Sequence, residues 1–101
     1  MPNDTTVYAL PHQKLIAWQV ARDLLVAVVQ AKIRNPDLRD QAVRAAQSAC
    51  LNIAEANGRA SPADRRRVFA IARGEATEAA AAVEVAALAG ECGLEDATRT
   101  Q

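Results

Sequence analysis

The residues best placed to do chemistry lie around a single break in the chain. Asn52, Glu55 and Arg59 follow one another at spacings of three and four, which on a helix sets them on neighbouring faces and lets Glu55 and Arg59 pair. Arg65, Arg66, Arg67 and then Arg73 come next, after which acids take over from Glu75 and Glu78 to Asp96. Two readings of the first group are open. In one, the Asn52 amide satisfies backbone groups and the Glu55–Arg59 pair fastens a helix hairpin, because half-buried polar groups need partners. In the other, the group contacts a ligand or, more simply, another subunit. The arginine run has three readings: a solvated charged face, an anion site at a helix N-terminus, or one side of a head-to-tail contact. In that contact Arg59, Arg65, Arg66, Arg67 and Arg73 of one subunit meet Glu75, Glu78 and the later acids of the next.

Catalysis finds no comparable set. The sole histidine, His12, has no partner in sequence for nucleophile activation. A carboxylate-bridged metal site in a bundle needs Glu-x-x-His pairs, and the chain has none. The two cysteines, Cys50 and Cys92, lack the paired spacing of a zinc site or a disulfide framework, and Cys50 reads as a small hydrophobe on a packed face. No glycine cluster could cradle a phosphate, and Tyr8, Trp18 and Phe69 are too scattered for a base-stacking platform. The chain is therefore expected to be no enzyme, with no metal and no cofactor.

The elements that position these residues must be helices. The 101 residues allow one domain with a modest core. Alanine fills about a quarter of the chain and aromatics only 3%, so the core is built from small side chains at close spacing, which helices achieve more readily than sheets. Lys+Arg and Asp+Glu both number 12, for a formal net charge of zero, which disfavours a dedicated nucleic-acid binder without excluding a local basic patch. No basic region leads into an apolar stretch at the start, and the longest clearly apolar uncharged run, Leu24 to Val29, is too short to span a bilayer. A cytoplasmic protein without a membrane segment is expected.

Residues 1–12, with Pro2 and Pro11 and no periodicity, read as an N-terminal arm, and residues 13–101 as a single helical domain. Ala17, Ala21, Leu24, Val28 and Ala31 form the stripe of a first helix over about 13–33. Arg34-Asn35-Pro36-Asp37 breaks it, with Asp37 as the expected N-cap of a second helix over about 38–57. Along that helix Ala42, Ala46, Ala49, Ile53 and Ala56 make an inward seam. Asn57-Gly58 offers a residue tolerant of positive φ at its end, and Ser61-Pro62 an N-cap and first-turn proline for the third helix, over about 62–89. Asp64, three residues after Ser61, resembles a capping box with a shorter acid. The third helix carries a heptad series, Phe69, Ala72, Ala76, Ala79, Val83 and Ala86, and a second apolar stripe, Val68, Ile71, Ala82, Val85 and Leu88, that points to a second packing partner. Gly74 within it marks a close approach of another helix. Gly90 ends the helix, and a stub over 94–101 follows, too short to cover it. The whole is an all-α, antiparallel up-and-down bundle of four-helix type with a short or incomplete fourth helix.

The run Arg44 to Glu55, then Gly58-Arg59, Ile71-Ala72-Arg73-Gly74 and Glu78, together with the opening Lys14 to Ala21, resembles the four-helix-bundle family encoded in intervening sequences of bacterial 23S rRNA genes. The likeness covers roughly residues 12–95. The family usually has proline where this chain has Cys50, glycine where it has Ala56 and serine where it has Glu75, and its fourth helix is normally long. The resemblance implies a ring-like homopentamer with no established enzymatic activity for most members. A related branch serves as the accessory protein of diversity-generating retroelements, with a more basic pentamer that contacts nucleic acid and reverse transcriptase. The expected function is thus a cytoplasmic oligomeric scaffold or protein-interaction module whose first partner is itself. The alternative is a nucleic-acid-binding accessory acting through an arginine patch on the assembled oligomer.

Overall fold

The computed structural model describes His12 and residues 15–100, so the arm expected at the N-terminus lies outside the described residues save for His12. Four helices follow: α1 (Ile16–Gln30), α2 (Pro36–Asn57), α3 (Pro62–Leu88) and α4 (Leu94–Thr100). They pack antiparallel in chain order, and no strand occurs among the described residues.

Helix α1 ends earlier than its apolar stripe suggests. Lys32 takes a positive φ of 51°, which turns the chain and drops Ala31 and Ile33 into the core. Helix α2 starts two residues before the expected place. Its cap is Asn35, whose side-chain oxygen accepts from the Leu38 amide at 3.0 Å, with Pro36 in the first turn beside it. Asp37 is a first-turn acid instead of the cap, because proline suits the first helical position and the residue before it is held extended. Helix α3 begins as its sequence implies: Ser61 accepts from the Asp64 amide at 3.2 Å and Pro62 follows.

Between α2 and α3 the left-handed tolerance of Gly58 goes unused. Its φ is −89°, and the helix closes through tight right-handed turns in which the Gly58 and Arg59 amides donate to the carbonyls of Glu55 and Ala56. Gly90, by contrast, has φ +78° and ends α3. There the Glu91 amide donates back to Ala86 at 2.7 Å.

Helix α2 is the spine of the core. Ala42, Ala46, Ala49 and Ala56 are wholly buried, which lets α2 and α3 approach closely over most of their lengths. One apolar cluster gathers Val28, Ile33, Ala46, Ala79, Val83, Ala86 and Ala97, tying all four helices at one end. A smaller one joins Ala21, Cys50, Ile53 and Ala72, with Trp18 and Phe69 against it, toward the other. The heptad series of α3 is inward: Ala72, Ala79, Val83 and Ala86 are buried, Phe69 and Ala76 half-buried. The second stripe does not form one surface. Val68 and Ala82 are buried within the chain, whereas Ile71, Val85 and Leu88 are exposed.

Gly74 meets nothing: a Cβ built on it has open space within 4 Å. The close helix approach expected there is absent within the chain, because Gly74 lies on the outward side of α3.

Helix α4 packs on α3 and α1. Its seven residues span about 10 Å, against about 40 Å for the 27 of α3. The rest of the space between α1 and α3 is an open apolar groove of about 300 Å³, bordered by Ala17, Val20, Leu24, Phe69 and Arg73. Thr100, the last residue of α4, stands at the continuation of this groove with Ala80 and Glu84.

Candidate functional site

Asn52 aside, the polar residues singled out from the sequence separate into three places. The first is the α2–α3 junction. Arg59 pairs with Glu55 at 2.6 Å and with Asp64 at 3.3 Å, its side chain being 38% exposed. Asp64 also takes Arg67 through Nε and Nη2 at 3.1 and 2.9 Å. The capping-box likeness is therefore half realised: the Asp64 amide donates to Ser61, but its carboxylate serves arginines. Arg65 donates from Nη1 to the carbonyls of Arg59 and Ala60 at 2.9 and 3.4 Å, closing backbone groups that the turn leaves open. Arg59 Nε is buried without a hydrogen-bond partner.

Asn52 stands apart from this cluster. Its amide nitrogen donates to the Ser48 carbonyl at 2.8 Å and the Ser48 hydroxyl at 3.1 Å, one turn back along α2. Glu75 and Glu78 form the second place. They border a shallow polar groove between α3 and α2 with Gln41, Arg44, Ser48 and Leu51. The third is the opposite side of α3, where Arg73 edges the apolar groove toward α1. Arg66 and Arg73 are both exposed, and among the described residues neither guanidinium is held in an ion pair like those of Arg59 and Arg67.

Of the five arginines around the start of α3, three are thus committed to fastening the hairpin. An anion at this helix N-terminus would have to displace the Ser61 hydroxyl from the Asp64 amide and compete with the Asp64 carboxylate for Arg59 and Arg67.

The remaining candidate chemistry is weak. The His12 ring packs edge-on against Trp18 with centroids 4.6 Å apart. Burial pushes the Cys50 thiol above its ordinary range. Burial, with Asp96 and Glu91 adding to it against Arg34, does the same to Cys92, so neither thiol is activated. Among the described residues no group of three His, Cys, Asp or Glu could hold a metal ion, and no helix is long and apolar enough to cross a membrane.

Two features had no clear signal in the sequence. Arg34 donates to the Gly90 carbonyl and its amide to the Glu91 carbonyl, the latter at 3.1 Å, which ties the α1–α2 loop to the α3–α4 loop. The second is the open groove itself.

An alanine-cored, antiparallel bundle with a fastened α2–α3 hairpin defines a small all-α helical protein. The chain belongs to the 23S rRNA-intervening sequence protein family, whose model matches residues 13–99. No curated protein matches it.

Proposed function

We propose that this protein is a non-enzymatic, self-associating interaction module that works as an assembled homo-oligomer. One observation carries the reading. Eight large aliphatic residues among those described are at least 44% exposed, with Ile16 at 78% and Leu88 at 77%, while the core is filled chiefly by alanine. Apolar surface left out in this proportion is what a subunit contact covers. The exposed residues do not lie on one side: Ile16 and Val20 are on α1, Leu51 on α2, and Ile71, Val85 and Leu88 on α3. Two different contact surfaces are what a head-to-tail ring needs, and a ring-like homopentamer is the assembly to which the family likeness points. A formal net charge of zero keeps copies from repelling one another.

Light scattering across a size-exclusion peak tests this, with absorbance followed at protein and nucleic-acid wavelengths. The expected result is a mass several times the 10.8 kDa of one chain. The mass of a single chain at both low and high salt overturns the reading.

The second reading, a nucleic-acid accessory, draws its support from Arg66 and Arg73, the two arginines of the run that the hairpin does not use. Five copies would bring ten such charges together. Salt-dependent binding of RNA or DNA in low-salt titrations would favour it.

A further inference from the structure

The turn between α1 and α2 carries the one left-handed residue among those described that is not glycine, Lys32 at φ 51°. A side chain in that conformation crowds the following carbonyl, so the turn persists only because contacts around it hold it. Those contacts come from two directions. The Arg39 guanidinium on α2 donates to the Ile33 carbonyl at 3.4 Å. From the α3–α4 loop, the Glu91 carbonyl accepts from the Arg34 amide at 3.1 Å and the Gly90 carbonyl accepts from the Arg34 guanidinium. Gly90 is itself left-handed, at φ 78°, so each loop uses a left-handed residue close to where the two join. Beneath the join, Ile33 is 2% exposed and shares an apolar cluster with Ala86 of α3 and Ala97 of α4.

The same residues have a second conformation open to them. The apolar stripe of α1 runs on through Ala31, and proline disfavours helix only from Asn35, the residue before Pro36. On a continued helix Ile33 comes four residues after Val29 and seven after Val26, hence on their face. Val26 and Val29 are 47% and 56% exposed. Ile33 is therefore a core residue when Lys32 is left-handed and a surface residue when α1 runs on to it.

We propose that residues 31–34 form a two-state latch between the loops at this end of the bundle. In the closed state Lys32 is left-handed, Ile33 lies in the core and Arg34 holds the α3–α4 loop. In the open state α1 extends to Ile33, its exposed aliphatic face grows to Val26, Val29 and Ile33, and α4 loses Ile33 from the cluster that seats it. The two loops open and close together, because Arg34 joins them through polar contacts and Ile33 through apolar ones. The latch is a property of the single chain and does not rest on self-association.

Hydrogen exchange and backbone NMR on the full chain test this. Arg34→Ala removes the guanidinium that secures the closed state. It is expected to speed exchange of the Arg34 and Glu91 amides and of the α4 amides by a common factor of about ten, the worth of one hydrogen bond from a charged donor. The same variant is expected to move the backbone carbon shifts of residues 31–33 to helical values. Lys32→Gly relieves the crowding of the closed turn and is expected to slow the same amides, again by a common factor. It also keeps the test available if Arg34→Ala does not fold. Exchange in α4 that neither variant alters overturns the latch, since the turn is then a local feature of the α1–α2 loop. So does a Lys32 that keeps left-handed shifts in Arg34→Ala.

Discussion

Arg59 shows how much of a polar cluster is local and how much is not. Its pairing with Glu55 follows from a spacing of four on one helix and is legible from the sequence. Its pairing with Asp64 crosses the turn between α2 and α3, and no spacing rule reaches across a change of chain direction. The same turn brings Arg65 to the carbonyls of Arg59 and Ala60. Asn52, which sequence spacing groups with Glu55 and Arg59, instead bonds back to Ser48, because its position on α2 places it a turn away from the hairpin. The ion pairs here are partly exposed, which limits each to a fraction of a kcal/mol to about 1 kcal/mol. Arg59→Ala is accordingly expected to destabilise the fold by about 1 kcal/mol. A double-mutant cycle with Asp64→Ala, read from urea unfolding, is expected to give a coupling of less than about 1 kcal/mol. A coupling of several kcal/mol would mean that the pair is far better shielded from water than its 38% and 32% side-chain exposures imply.

At the scale of elements, helix starts were more legible than helix ends. Ser61-Pro62 opens α3 through a cap whose chemistry is contained within four residues. The opening of α2 uses the same device one residue pair earlier than expected, with Asn35 and Pro36, since both asparagine and aspartate can cap and only the proline position arbitrates between them. Ends were harder. The chain takes left-handed conformations at Lys32 and Gly90 but not at Gly58, because lysine carries no sequence signal for a turn that burial of Ile33 imposes. Gly74 was the misleading residue. Glycine inside a helix suggests a neighbour too close for a Cβ, yet its outward side is open. Gly74→Ala is therefore expected to stabilise the protein by about 0.5–1 kcal/mol, by reducing the freedom of the unfolded chain. For a domain of this size that raises the thermal midpoint by about 2–8 °C. A fall in the midpoint would show that a neighbour does approach Gly74 in the assembled protein.

For the whole molecule, the helices are not equally secured. Helices α2 and α3 share the longest interface, with wholly buried alanines along it, whereas α1 has α2 on one side and, over its first half, the open groove on the other. Native-state hydrogen exchange is expected to show the amides of Ala46–Ile53 and Ala79–Val83 protected most strongly and those in the first half of α1 opening at lower free energy. Protection of early α1 equal to that of α2 would mean that this side of α1 is covered in the folded protein. The amino-acid sequence by itself determined the fold class, the helix number and the inward seams of α2 and α3, because hydrophobic period and capping chemistry act over a few residues. Only the tertiary structure decided which arginines are used within the hairpin, that the second stripe of α3 is split between core and surface, and that α1 and α3 leave a groove between them. Those outcomes depend on which helix faces meet between residues far apart in the sequence, which no local spacing rule reaches.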